Sequence, residues 1–447
     1  MTIKPENLFR KAILDFPVKT KRLGKVRYVN FDHAATTPPL KSVEASLDSF
    51  MVRYGSVHRG AGQKSQISTN RYEHTRKIIR DFVNAPKDSY VLFTGNTTGA
   101  MNTLSYFLAF LSGRIAVSAI EHSSSWLPFV KAEGVKLLGA KQGSLFEMEK
   151  INKRIQIFGQ RQVCRYQLNS QGEFDLTDIE RILQQKKIKA LVVTASSNLT
   201  GYCPDLKKIS RLVHRYGALF VVDACQYLQH HPLDMEKMGI DFLAASGHKF
   251  YAPYGGGFLI GPKKFLDRFL SYQIGGGNLP YITRSGVFLR YPNQLAHDPG
   301  TPNAGGAITM AAALKTLKKI GLKKIERYEI YLSRRAYEAM RRLPKIKMFV
   351  TREKLNSVIP FVIQGKNSSE VARRLNEEFG IGVRAGNFCV YEAVRNMLNL
   401  KNEKQITRAV RQGRQKSVPG LIRISLGLSN RPSDITRLIK ALKIIST

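Results

Sequence analysis

The sequence predicts an α/β fold: a large domain on a mainly parallel sheet, and a smaller α+β domain at the C-terminal end. Short apolar runs, rich in Val, Ile, Leu and Phe, stop at polar residues. Such runs read as strands covered on both faces. Helical patterns lie between several of them, and strand alternating with helix makes a parallel sheet. After Pro302 the texture changes to long amphipathic patterns and short strands.

In order, the expected strands are Ser89–Phe93, Arg114–Val117, Ala190–Val193, Ala218–Val222 and the run Asp241–Ser246 that leads into Lys249. Thr97–Leu111 and Leu206–Tyr216 read as helices between them. Ligands of such sheets bind beyond the carboxyl ends of the strands. Thr94, His122, Asn198, Asp223 and Lys249 stand at those ends and are expected to converge. The basic stretch Lys150–Arg165 breaks the rhythm and reads as an inserted loop. Beyond Pro302, Ala307–Ile320 and Ile325–Arg342 read as helices, Ile346–Val350 and Ser357–Ile363 as strands, and Glu370–Phe379 as a helix. Arg423–Gly427 reads as a strand and Pro432–Ile445 as the last helix. The expected division is a segment 1–30 packing on the smaller domain, a large domain 31–303 and a small domain 304–447.

With 447 residues, 43% hydrophobic and 23% charged, the chain has a globular composition and can bury a large core. No apolar run approaches the ~20 residues of a membrane span. Residues 1–30 have no signal-peptide core; they hold eight Lys/Arg but also Glu6 and Asp15, unlike a transit peptide. Cys164, Cys203, Cys225 and Cys389 form no Cys-x-x-Cys pair, so no metal site is expected. A reducing, cytoplasmic setting fits that cysteine usage. The net charge of +38 is spread along the whole chain. It reads either as general solubility or as an acidic or nucleic-acid partner.

Ser246-Gly-His-Lys249 ends a buried run. Burial disfavours an ammonium and frees the amine as a nucleophile. Such an amine can form a Schiff base with an aldehyde, and pyridoxal phosphate (PLP) is the commonest protein-bound aldehyde. A surface lysine in a turn is the other reading of this stretch alone. Asp223-Ala-Cys-Gln226 puts a carboxylate at a strand end, able to pair with a pyridine nitrogen or to cap a helix. Gln226 and Asn198 can donate to a ring hydroxyl. Thr94–Gly99 joins a strand to a helix with hydroxyls and free amides, a phosphate cradle or a capped turn. His122 can stack on a ring and shuttle a proton.

Together these stretches resemble the class V aminotransferase family, in particular its SUF-type cysteine desulfurases. The likeness rests on Phe31-Asp-His-Ala-Ala-Thr-Thr37, Ser56-Val-His-Arg-Gly60, Phe93–Thr98, Glu121-His122, Ser197–Gly201, Val222–Gln226 and Ser246–Lys249. It continues through Gly300–Asn303, Val383–Cys389 and Arg423–Leu426. The resemblance implies a PLP-dependent transferase of fold type I with a seven-stranded sheet. It implies that Lys249 is the Schiff-base lysine, Asp223 the pyridinium partner, Gln226 and Asn198 the ring-hydroxyl contacts, and His122 the stacked base. Thr97, Thr98, Ser246 and His248 would hold the phosphate. Thr301 would reach the phosphate of a second subunit in a homodimer. Arg423, with Arg384 and Asn198 near it, would grip the carboxylate of a cysteine substrate. Cys389 would take the sulfur as a persulfide and release alanine, for transfer to an acceptor protein in iron–sulfur assembly.

The chain departs from the family at His33, Gly99, Ser123, Asn387, Phe388, Val390 and Tyr391. Another class V reaction therefore stays open: selenocysteine lyase, aminotransferase or epimerase. So does a basic nucleic-acid-binding protein on an inactive PLP fold. Lys401, Lys404, Arg408, Arg411 and Arg414 recur at helical spacing after Cys389. That row is a solvated face or a dock for an acidic sulfur acceptor or a tRNA.

Overall fold

A computed structural model describes residue 13 and residues 16–131, 163–169, 172–414 and 418–447. Near the N-terminus, β1 (Pro17–Thr20) and β2 (Gly24–Arg27) form an antiparallel hairpin, and β3 (Val29–Asn30) follows. The large sheet then takes β4 (Ser89–Thr94), β5 (Arg114–Ser118), β6 (Val163–Tyr166), β7 (Ile188–Thr194), β8 (Leu219–Asp223), β9 (Phe242–Ser246) and β10 (Gly257–Pro262). Its order is β4-β10-β9-β8-β7-β5-β6. Neighbours from β9 to β6 are parallel; β10 runs antiparallel to both β4 and β9.

Every residue of β7 and of β9 is buried, as expected of strands covered on both faces. The strands legible as apolar runs are therefore β4, β5, β7, β8 and β9. Two strands escaped that reading. β10 lies between β4 and β9 although it follows both in the chain. Val163–Tyr166 is strand β6, so the end of the expected Lys150–Arg165 loop is an edge strand; residues 150–162 lie outside the described residues. Pairing in register with β5 buries Val163, Cys164 and Tyr166, which explains why basic flanks did not prevent a strand.

The small hairpin of β11 (Tyr281–Ile282) and β12 (Phe288–Leu289) precedes two long helices, Ala304–Ile320 and Leu322–Met340. Further on, β13 (Ile346–Met348), β14 (Val358–Ile363), β15 (Ile381–Gly382), β16 (Arg384–Gly386) and β17 (Leu421–Ser425) appear. Four of them make an antiparallel sheet in the order β13-β14-β17-β16. The helices Ser368–Phe379 and Pro432–Ser446 accompany it.

We propose the division 1–30, 31–303 and 304–447 for these units. β3 pairs in parallel with β15, and Lys21 and Arg22 reach Glu377 and Glu378 at 2.5 and 2.7 Å. Arg27 pairs with Asp434. The helix Ala304–Ile320 packs against Lys41–Met51 and Gln63–Phe82, so it lies across the proposed boundary. No described helix is long and apolar enough to cross a membrane.

Candidate active site

The segments that follow β4, β5, β7, β8 and β9 open onto one cavity of about 280 Å3. Asn96, Thr97 and Thr98 line it after β4, His122 after β5, and Asn198 after β7. Asp223 and Gln226 line it from β8, and Ser246, His248 and Lys249 from β9. The smaller unit contributes Arg384, Cys389 and Arg423. Residues from Ala34 to Arg423 thus meet in one place. One expected member, Thr94, stands apart, and Thr301 is expected to serve a second subunit. Thr94 does not line the cavity: its hydroxyl is turned to the Asn96 carbonyl at 2.9 Å, which shapes the turn into the next helix. Thr301 is exposed and outside this chain's cavity.

Lys249 ends a 3-10 turn that continues β9. Its Nζ donates to the Ala34 carbonyl at 2.5 Å. Burial lowers its pKa, and Arg423 adds to that effect while Cys225, Asp223 and Asp32 oppose it. Gln226 Nε2 donates to the same Ala34 oxygen at 2.6 Å, so this side chain braces the lysine's acceptor. Asp223, 4% exposed, accepts from Ser125 Oγ at 2.5 Å and from the Cys225 N–H at 2.9 Å. These bonds fix the orientation of the buried carboxylate. His122 Nδ1 accepts from the Ser124 N–H at 3.2 Å, and burial lowers its pKa, with Lys249 and Arg423 adding to the shift.

At the other end lies the start of the helix Thr97–Ala109, capped by Asn96, whose side chain accepts from the Gly99 N–H at 2.9 Å. Gly257 lets β10 approach that cap; a Cβ there would sit 2.6 Å from Asn96 Cα. Ser246 Oγ accepts from the Thr97 N–H at 2.6 Å and is 2.8 Å from Thr97 Oγ1. Thr98 Oγ1 meets Ser124 Oγ at 2.7 Å. Burial, then Lys249 and His122, bring the His248 pKa down to about 4. Hydroxyls at a helix N-terminus suit a phosphate.

Arg423 is 2% exposed on β17. It donates to the Asn198 carbonyl at 2.9 Å and to Asp32 at 2.7 Å, and its guanidinium carbon lies 4.7 Å from the centre of the Phe388 ring. Its Nε has no partner among the described residues. Arg384, half exposed, is 4.0 Å from Asp32. Asn198 Nδ2 donates to the Phe388 carbonyl at 2.9 Å, so in this structure it braces the cysteine loop. Phe388 and Cys389 both hold positive φ, 52° and 58°, a costly conformation for non-glycine residues.

Sequence reasoning gave no role to Asp32, Ser123, Ser125 or Cys225. Asp32 and Cys225 stand in stretches already singled out, and Ser123 is one of the departures, but nothing in a residue type announces that it braces another. A trio of metal-type side chains, His58, Glu73 and Asp298, lies apart from the cavity. Arg76 pairs with both of its carboxylates, which makes it an ion-pair network.

The donor set fits PLP: an amine of lowered pKa, a braced carboxylate, an imidazole and a hydroxyl-lined helix start all border one cavity. The class V aminotransferase profile matches residues 29–438. The chain belongs to the class V aminotransferase family. This family member is 33% identical over 376 residues to a probable cysteine desulfurase of Pyrococcus abyssi, covering 83% of this chain and 86% of the relative. In structure it is similar to the apo cysteine desulfurase of Thermococcus onnurineus NA1, with a TM-score of 0.75 and 27% identity over 94% of each chain. The cysteine desulfurase CsdA of Escherichia coli also gives a TM-score of 0.75 and 27% identity, over 93% of this chain and 94% of that one.

Proposed function

We propose that this class V enzyme is a PLP-dependent cysteine desulfurase. L-Cysteine and the Cys389 thiol give L-alanine and a Cys389 persulfide: the Cβ–S bond breaks, a Cβ–H and an S–S bond form, and no external oxidant is needed. The observation that carries the reading is that Cys389 lines the same cavity as Lys249 and Asp223. A transaminase has no use for a thiol there.

When bound, PLP supplies an aldehyde and a ring that accepts the electron pair left at Cα. Lys249 holds it through Nζ and moves the substrate's α-proton. Asp223 would keep the ring nitrogen protonated, and Gln226 and Asn198 would contact the ring hydroxyl by turning their amides from the Ala34 and Phe388 carbonyls. His122, which lines the same cavity, would stack on the ring and serve as a proton donor and acceptor. Thr97, Thr98, Ser246 and His248 hold the phosphate. Arg423, steadied by Asp32, and Arg384 grip the substrate carboxylate, where a planar fork meets two oxygens.

The working unit is a homodimer in which Thr301 reaches the partner's phosphate. Supporting this, Tyr281, Ile282 and Leu289 of the β11–β12 hairpin are 60%, 54% and 48% exposed, an apolar face that a second copy would cover. The setting is the cytoplasm and the product sulfur serves iron–sulfur assembly; all four cysteines are unpaired, as in a reducing compartment. The test is a panel of amino acids given to the PLP-loaded protein with dithiothreitol to reduce the persulfide, following alanine and sulfide. Cysteine should yield both; release of neither, with turnover of another amino acid, overturns the reading.

A further inference from the structure

The helix Glu403–Arg411 is nine residues long, and none of its residues is buried. Isolated helices shorter than about 12 residues are marginal in water; most gain stability by burying an apolar face. This one has such a face, since Ile406 and Val410 are four residues apart, yet Val410 is 44% exposed. Its other face carries Lys404, Arg408 and Arg411, at i, i+4 and i+7. Among the described residues these three cations form no ion pair. Glu403 pairs instead with Arg395, on the helix Tyr391–Met397 that starts two residues after Cys389. Tyr391, one turn before Arg395 on that helix, is 61% exposed.

We propose that Glu403–Arg411 and Tyr391 form a docking surface for an acidic polypeptide that receives sulfur from Cys389. This rests on the desulfurase reading and names the chemistry of the acceptor. The cationic stripe calls for carboxylates, and the Ile406–Val410 stripe on the opposite side of the helix calls for apolar side chains, so the partner is a chain that wraps the helix. A phosphodiester backbone supplies charge but nothing to cover that stripe. The Arg395–Glu403 pair ties the surface to the helix that carries the thiol's loop, so a docked chain is held within the neighbourhood of the sulfur.

The test uses a fluorescent glutamate-rich peptide carrying one cysteine, and a lysine-rich peptide of equal length. Binding is read by anisotropy, which needs no turnover, and sulfur transfer to the peptide thiol is read separately. The glutamate-rich peptide should bind and accept sulfur at least about tenfold better. Lys404→Glu, Arg408→Glu and Arg411→Glu together should remove that preference, while Lys318→Glu, Lys319→Glu and Lys323→Glu should keep it. Alanine formation with dithiothreitol as acceptor should be unchanged in both variants. Equal binding by wild type and the first variant overturns the proposal, as does displacement of the peptide by unfractionated tRNA that is abolished in that variant alone. Absence of alanine from wild type, with peptide preference intact, would count against the desulfurase reading instead.

Discussion

Ser123 donates twice to the carbonyl of Cys389, from its backbone N–H at 2.9 Å and from Oγ at 2.9 Å. Asn198 holds the carbonyl one residue earlier. The loop carrying the thiol is thus pinned at consecutive peptides while both residues keep positive φ. A strained turn persists only where its surroundings hold it. We expect Ser123→Ala to remove one bond, worth roughly 0.5–1.5 kcal/mol. Sulfur transfer should slow several-fold with the PLP absorbance unchanged. A variant with wild-type transfer would show that the clamp is structural only.

Lys249→Ala should lose covalent attachment of PLP, read by borohydride reduction and peptide mapping, and should lose alanine formation. Lys249→Arg should do the same, because its guanidinium stays protonated. Retention of a reducible adduct in either variant would move the attachment to another amine.

Arg423 and Asp32 form a pair in which only the arginine is fully enclosed. Asp32→Asn leaves that guanidinium without its counter-ion, at a cost of roughly 1–3 kcal/mol, below the value for wholly buried pairs because Asp32 reaches solvent. Thermal unfolding should show the loss. Arg423→Lys should raise the KM for cysteine more than it lowers kcat, since one planar fork is replaced by a single donor. A pure kcat effect would place Arg423 away from the substrate carboxylate.

Glu121 is 2% exposed beside His122, and burial, with Asp223 adding, pushes its carboxyl up to about 8. A carboxyl raised above its unfolded value contributes full stability below that unfolded value and loses it as pH rises through the folded one. The window is therefore about pH 4.5 to 8. Glu121→Gln should gain stability relative to wild type across that window, by up to about 1.4 kcal/mol per pH unit. Denaturant melts at several pH values check it; a constant difference would mean that Glu121 is ionised in the fold.

Much of this site was legible because strand ends are legible. Apolar runs stopping at Asp223 and before Lys249 place two side chains on one edge of the sheet. The rest depends on partners with no sequence signature. The Ala34 carbonyl that receives both Lys249 and Gln226 is a backbone atom, identical in every residue. Asp32 meets Arg423 across 391 positions, a distance at which pattern is silent. The insertion of β10 between β4 and β9 is likewise a matter of pairing, since its own run of apolar residues fits any position in a buried sheet. Asn198 shows the limit from the other side: its place was foreseen, but its amide is committed to the Phe388 carbonyl.

The most direct measurement is alanine formation from cysteine by the PLP-loaded wild type and by Cys389→Ser, with bound PLP followed by absorbance. The account predicts equal PLP content and a loss of alanine formation of at least about a hundredfold in the variant. Equal alanine formation by both proteins would contradict it.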